Sequence, residues 1–436
     1  MNSLPPHSIR QRRGKEGKHD GAWLIELRVK NHDFHVMIQV ELFMSTSNYS
    51  LERQSFLDVL RGFALFGILI VNIMAFSSAY YASGIASPLQ NSLWEDAVTF
   101  SIAMLFETKF YLLFSFLFGY SFSIQMISAE KKQKPFKVLF MRRLLGLFCI
   151  GLIHALLLYH GDILSTYALM GILLLALRHQ TDRVLMGCAI TLICLTTLLW
   201  LLLAWMTPPM TDPINLVLQI ESVQHQYLMD WSTLIAQHWR GLQGVWVITL
   251  MMQAPIALAM FCLGFIAGRR QLFLNLEHYQ LYFPRVLRLA GQVALPVGLF
   301  YGYASTFQPG SALEIFALAL TILSAPLLSA GYAVCLLKLY QTKYLPKTFA
   351  LLASAGRMAL TNYILQSIIC TYLFFGVGFG WMGQLTPSQT VAIAFSIFIF
   401  QCGLSHLWLR YFSYGPLEWG LRCFTYLKFF PWLRRK

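Results

Sequence analysis

Seven side chains in this 436-residue sequence combine types that do chemistry with places where such types are costly. Asp58, Arg61 and Asn72 interrupt the first long apolar run, which starts at Leu57. On a helix Asn72 stands ~16 Å beyond Arg61, about half a bilayer deeper. Glu107, Lys109, His154 and Asp162 follow within or beside further apolar runs. A histidine, carboxylates and a lysine in a medium of low dielectric are the parts for abstracting a proton and neutralising an oxyanion. Each also has a plainer use. Asp58 and Asp162 can cap helices, and Arg61 can snorkel to headgroups. Asn72 and His154 can bond neighbouring helices, and Glu107 and Lys109 can neutralise buried charge. Further on, Ala355-Gly356-Arg357 leads into Asn362 and Gln366. Arg61 and Arg357 both fall near one membrane face, where they are placed to hold either donor phosphates or lipid phosphates.

The elements that must position these residues follow from composition. The chain is 57% hydrophobic and 12% charged, which marks an all-α, polytopic membrane protein. Its formal charge of +14 reads as positive-inside bias, so no nucleic-acid partner is expected. The eight cysteines are scattered through apolar runs without metal spacing. No metal is expected. With ~20 apolar residues per crossing, about ten spans are predicted. They cover approximately 57–79, 96–128, 139–159, 162–178, 184–205, 243–267, 286–304, 313–337, 358–378 and 388–410. Glu107-Thr108-Lys109 predicts a break in the second.

Lys131, Lys132, Lys134, Lys137, Arg142 and Arg143 lie in one connection, and Arg269, Arg270 and Arg285 in another on the same side. The alternate connections hold almost nothing basic apart from Arg240, so both termini are expected in the cytoplasm. With that orientation Asn72, Glu107, Lys109, His154 and Asp162 share the outer half of one early bundle. The longest outer connection, about 206–242, reads as an amphipathic helix over Gln219 to Trp239 or a plain interfacial anchor. Residues 1–53 form a polar N-terminal segment, with translation expected to start near Met44, and 54–436 form one helical membrane domain.

At these positions the sequence resembles the YeiB family of bacterial inner-membrane proteins. The resemblance lies in Leu57-Asp58-Val59-Leu60-Arg61-Gly62, in the run from Lys109 to Gly119, and in His154 with Gly161-Asp162-Ile163-Leu164. It continues from Gly356-Arg357 to Gly415-Pro416-Leu417-Glu418-Trp419, within a family C-terminal region of about 285–436. That family is grouped with transmembrane acyltransferases, among them bacterial sugar O-acetyltransferases and heparan-α-glucosaminide N-acetyltransferase. The resemblance implies transfer of an acyl group, such as acetyl, from cytoplasmic acyl-CoA to an extracytoplasmic hydroxyl or amine. In the O-acetyltransferases a catalytic His stands eleven positions after an Arg; counted from Arg61 that position is Asn72. The heparan-type enzymes carry Asn in the first span and their His elsewhere, and His154 is the candidate here by chemistry and depth.

On this reading Arg61, Arg357 and Asn362 hold the cofactor, with the CoA phosphates on the two arginines. His154, oriented by Asp162, is the base, and Lys109 or Asn72 stabilises the oxyanion, with Glu107 in the same cavity. The expected partners are the bilayer, acyl-CoA, a glycan or lipid-linked acceptor and, as one option, a second copy in a homodimer. The competing reading is a proton-coupled transporter or flippase for a small or lipid-linked solute, in which Glu107, Lys109 and His154 form the relay.

Overall fold

A computed structural model describes residues 33–208 and 212–434, with side chains from residue 55 onward apart from 245, 247 and 248. The expectations about residues 1–43 and a start at Met44 concern side chains outside that set. Contacts divide the chain into Met1–Leu51 and Glu52–Lys436, and the candidate residues all lie in the second unit.

Regular structure among the described residues is helical. Helix α1 (Asp33–Ser77) carries the first apolar run. Ser92 caps α2 (Leu93–Leu105) by accepting from the Glu95 N–H. Three residues separate α2 from α3 (Lys109–Lys131), and among them Thr108 has φ of 68°, a left-handed value that interrupts the helix. The break falls at Phe106–Thr108, where the polar triplet predicted it. Next come α4 (Phe136–Leu157), α5 (Leu164–Ala176) and α6 (Asp182–Met206), the last capped by Thr181.

The long connection holds two helices where one was predicted: α7 (Pro213–Tyr227) and α8 (Trp231–Ile248). Asp230 separates them by accepting from the Thr233 N–H at 2.9 Å. A π-turn at Thr249–Gln253 joins α8 to α9 (Ala254–Arg269). After the short α10 (Leu276–Tyr279), a second π-turn at Ala290–Ala294 joins α11 (Phe283–Leu289) to α12 (Leu295–Phe307). Helices α13 (Ala312–Gln341), α14 (Pro346–Arg357), α15 (Ala359–Phe374), α16 (Pro387–Tyr411) and α17 (Pro416–Tyr426) complete the bundle.

Helical structure covers each of the ten expected spans. Among the described residues six segments are long and apolar enough to cross a membrane: Ser55–Ser77, Leu93–Lys131, Asp182–Met206, Thr249–Arg269, Ala312–Gln341 and Pro387–Tyr411. The chain is therefore an all-α polytopic membrane protein. The first of the six is 67% buried in the protein and the third only 22%, so α1 is central and α6 faces lipid. Helices α5 and α15 have 13 and 16 residues, roughly 20–24 Å, short of the ~30 Å hydrocarbon layer. Helix α15 carries Asn362, and α5 begins two residues after Asp162.

Small residues set the close crossings. A Cβ at Gly62 would overlap the Leu352 carbonyl, and one at Gly356 would overlap the Asp58 carbonyl. Backbones of α1 and α14 therefore touch beside Arg61 and Arg357, which follow or precede those glycines. In the same way Gly119 of α3 meets the Phe261 carbonyl of α9, and Gly264 of α9 meets the Phe116 carbonyl of α3. Rings fill the spaces between, as where Phe118 stacks on Phe261 at 4.4 Å.

Candidate functional site

His154 stands in the last turn of α4, fully buried. The helix ends just beyond it, where the N–H groups of Leu158 and Tyr159 both donate to the His154 carbonyl. The chain turns through Gly161 and returns Asp162 to the same helix. Asp162 performs two tasks at once. Its Oδ2 accepts from the N–H and the hydroxyl of Ser165, both at 2.8 Å, capping α5. Its Oδ1 lies 2.9 Å from His154 Nδ1. Gly151 makes room for this turn, since a Cβ there would sit 2.6 Å from the Ser165 nitrogen and 2.7 Å from Asp162 Oδ2.

A residue not foreseen from the sequence completes the row. Ser367 of α15 lies with its hydroxyl 2.8 Å from His154 Nε2, bringing together positions 213 apart in sequence. Asp162 accepts at Nδ1, which puts the ring proton there and leaves Nε2 to accept the Ser367 proton. Carboxylate, imidazole and hydroxyl thus form a continuous buried relay of the kind that activates a hydroxyl. The only local signal was polarity within α15, where Asn362, Gln366 and Ser367 interrupt an apolar helix. Serines are ordinary there, so nothing singled it out.

Beside this row opens a cavity of about 630 Å³. Tyr363, Ile163, Leu164 and Tyr167 line it next to the row, whereas His154, Asp162 and Ser367 themselves do not. Tyr363 lies with its ring centroid 5.0 Å from that of His154. Its hydroxyl is buried near the Ile163 backbone and makes no hydrogen bond of good geometry. Arg61, Lys132, Lys134, Arg143, Arg357 and Arg422 line the remainder, against the single carboxylate of Glu418. Glu418 is already engaged, accepting from the N–H groups of Leu360 and Thr361 at 2.8 and 3.1 Å at the start of α15. Burial pushes its carboxyl above the ordinary range, and these hydrogen bonds pull the other way.

Arg61 is neutralised by Asp58, and the other five make no ion pair among the described residues. Arg61 bonds Asp58 at 2.6 Å and Ser121 at 2.7 Å, but the Nε atoms of Arg143 and Arg422 are buried without an acceptor. Arg422 is held in place by the rings of Phe430, Tyr414 and Tyr426 at 4.6, 5.1 and 5.5 Å. Guanidinium groups with buried, unfilled Nε donors beside a partly open cavity can hold an anion.

The remaining candidates lie elsewhere. Glu107 accepts from the hydroxyls of Tyr81 at 2.7 Å and Tyr301 at 2.6 Å. Lys109 donates to the Ala103 carbonyl at 2.9 Å, with the Tyr301 ring 5.4 Å away. Neither bonds His154, Asp162 or Ser367. Asn72 is half-buried and has no hydrogen-bond partner among the described residues. Asn362 does not line the cavity; its amide donates to the Ala355 carbonyl and Ser405, joining α15 to α16 together with Gln366 and Gln401. Among the described residues no cluster of three His, Cys, Asp or Glu side chains is arranged for a metal.

On the far side of His154 from the cavity, α7 and α8 form a cap. His238 Nδ1 faces the Leu156 carbonyl at 3.1 Å, and His160 Nδ1 faces the Tyr227 hydroxyl at 3.1 Å. Burial lowers both imidazoles to about 4.

Residues 267–428 match a family model described as a protein of unknown function, DUF418. The chain is 32% identical over 398 residues to the uncharacterized protein YxaH of Bacillus subtilis (strain 168), spanning 87% of this chain and 96% of the relative. It is 30% identical over 408 residues to the uncharacterized protein YeiB of Escherichia coli (strain K12), spanning 86% and 97%. No solved structure matches it. Over nearly its whole length, then, this chain belongs to the YeiB-like family of DUF418 proteins.

Proposed function

We propose that the protein is a transmembrane acyltransferase that takes an acyl group, such as acetyl, from acyl-CoA and passes it to a hydroxyl or amine across the membrane. One observation carries the reading. One cavity is lined both by this basic set and by Tyr363, Ile163 and Leu164, which adjoin the buried His154–Asp162 pair. Coenzyme A has the matching chemistry: phosphates for Arg61, Arg143, Arg357 and Arg422, then a long uncharged arm ending in the reacting thioester. The CoA phosphates form charge-assisted hydrogen bonds with the arginines, and the arm runs along Phe114, Phe118 and Leu147 of the wall.

Beside Tyr363, His154 acts as general base, held in one tautomer by Asp162. The Tyr363 hydroxyl, carried on a ring that packs against His154, is the donor for the developing oxyanion. That assignment replaces Lys109, whose ammonium is engaged with the Ala103 carbonyl. The basic mouth faces the cytoplasm under the positive-inside rule, in the cytoplasmic (inner) membrane of a bacterium. A glycan or lipid-linked acceptor approaches from the capped side.

A transporter would require its buried titratable groups on one path. Glu107 and Lys109 bond their own neighbours, apart from His154, so nothing favours that alternative. The test is transfer of isotopically labelled acetyl from acetyl-CoA in inverted membrane vesicles from cells with and without the protein. Label entering a glycan or lipid fraction only when the protein is present supports the reading. Equal labelling of both samples contradicts it.

A further inference from the structure

The hydroxyl of Ser367 departs from the habit of its neighbours. Several serines in these helices donate to the carbonyl one turn back: Ser115 to Tyr111 at 2.8 Å, Ser121 to Leu117 at 2.7 Å, Ser354 to Ala350 at 2.8 Å and Ser396 to Ala392 at 2.9 Å. For Ser367 the same carbonyl, on Tyr363, is 3.5 Å away, while His154 Nε2 is at 2.8 Å. The hydroxyl is drawn off its own helix toward the imidazole. It also occupies the position on Nε2 from which an incoming acceptor would have to lose its proton. A direct transfer would first have to displace it.

We propose that Ser367 is the nucleophile and carries the acyl group as an ester between donor and acceptor; this rests on the acyl-CoA reading of the cavity. In the first half-reaction Ser367 Oγ bonds to the thioester carbonyl carbon while His154 Nε2 takes the hydroxyl proton. The Tyr363 hydroxyl donates to the oxyanion. The C–S bond breaks, and the departing CoA thiolate takes the proton from His154. In the second half-reaction His154 takes a proton from the acceptor hydroxyl or amine as that group bonds the ester carbon. The C–Oγ bond breaks, and Ser367 recovers its proton from His154. No redox change occurs in either half.

The ester solves a geometric problem. The donor enters through a cavity whose wall ends at Tyr363, one helical turn from Ser367, and the far side is covered by α7 and α8. Donor and acceptor need never occupy the site together. The first can leave with its acyl group stored on α15.

The test uses the full chain, purified in detergent, with two acetyl donors and no acceptor. Acetyl-CoA reports the cavity and the nucleophile together. p-Nitrophenyl acetate is small and has no phosphates, so it reports the nucleophile alone. Peptide mass spectrometry reads acetyl on the Ser367 peptide, and calorimetry reads acetyl-CoA binding separately. Expected are acetylation of Ser367 by both donors, its absence in Ser367→Ala, its retention in Ser367→Cys, and a rate lower by ~10²–10⁴-fold in His154→Ala.

Acetyl-CoA binding with no acetyl on Ser367 from either donor overturns the nucleophile and leaves the cavity reading intact. His154-dependent labelling by p-nitrophenyl acetate without acetyl-CoA binding upholds the nucleophile and removes the proposed donor. Neither binding nor labelling, in protein with an unchanged thermal transition, overturns both.

Discussion

His154 and Lys109 are buried to the same degree, each about 1% exposed, yet their surroundings differ in kind. Around Lys109 the ionisable groups are engaged, although the Thr108 hydroxyl between Glu107 and Lys109 is buried without a partner. Glu107 holds two tyrosine hydroxyls, Lys109 holds a carbonyl, and Ser329 donates to the Lys109 carbonyl at 2.7 Å. That network ties α2, α3, α12 and α13 together at the helix break. Around His154 the chain of bonds leads to Ser367, and the adjoining wall holds a Tyr363 hydroxyl and two arginine Nε atoms left wanting partners. Similar side chains in similar burial can thus serve either packing or chemistry. What separates them is whether a cavity adjoins the group, as the one lined by Ile163, Leu164 and Tyr363 does beside His154.

The contrast is broken most sharply by exchanging the effects of substitution. His154→Ala or Asp162→Asn is expected to lower acetyl transfer by ~10²–10⁴-fold with the bundle still folded, read as initial rate in vesicles. Retention of the wild-type rate would show that the pair is structural, like its counterpart at Lys109. Gly356→Ala should have a smaller but wider effect. A Cβ there meets the Asp58 carbonyl and forces α14 away from α1, so the fold should lose ~1–3 kcal/mol and the spacing of Arg61 and Arg357 should change. Thermal unfolding with and without acetyl-CoA separates those two consequences.

Glu107→Gln should do the reverse of His154→Ala. It leaves one tyrosine hydroxyl poorly paired, costing ~1–3 kcal/mol of stability, while folded protein keeps its transfer rate. A large loss of rate at unchanged stability would merge the two networks into one site.

The smallest effect belongs to the cap. The unfolded imidazole titrates near 6.5 and the folded His160 and His238 near 4, so the unfolded chain binds more protons between those values. Their contribution is complete above about pH 6.5 and is lost as pH falls toward 4. The thermal midpoint should drop over that window in the wild type and drop less in His238→Phe.

Much of this arrangement could be read from the chain, because it is local. The apolar runs mark the helices, and Glu107-Thr108-Lys109 marks the break because charges and a left-handed Thr108 cannot continue a buried helix. His154 and Asp162 are eight residues apart across a glycine turn, so their meeting is nearly a local event. Ser367 and Arg422 reach the site only through the packing of α4, α15 and α17, which no spacing in the sequence reveals. Arg143 illustrates the limit well. As one of six basic residues in a connection it counts toward orientation, yet α4 starts at Phe136 and carries it to the cavity wall. Asn362 shows the opposite error of inference, a polar residue at the right depth whose amide is taken up by α14 and α16.

The central claim is that the basic cavity holds the phosphates of an acyl-CoA, and calorimetry tests it most directly. Acetyl-CoA is titrated into the detergent-purified wild type, Arg143→Ala and Glu107→Gln. Micromolar binding that weakens ~10-fold or more on losing one charge-assisted contact in Arg143→Ala, and is unchanged in Glu107→Gln, is the predicted result. Absence of binding to folded wild type, or equal affinity in all three proteins, would contradict it.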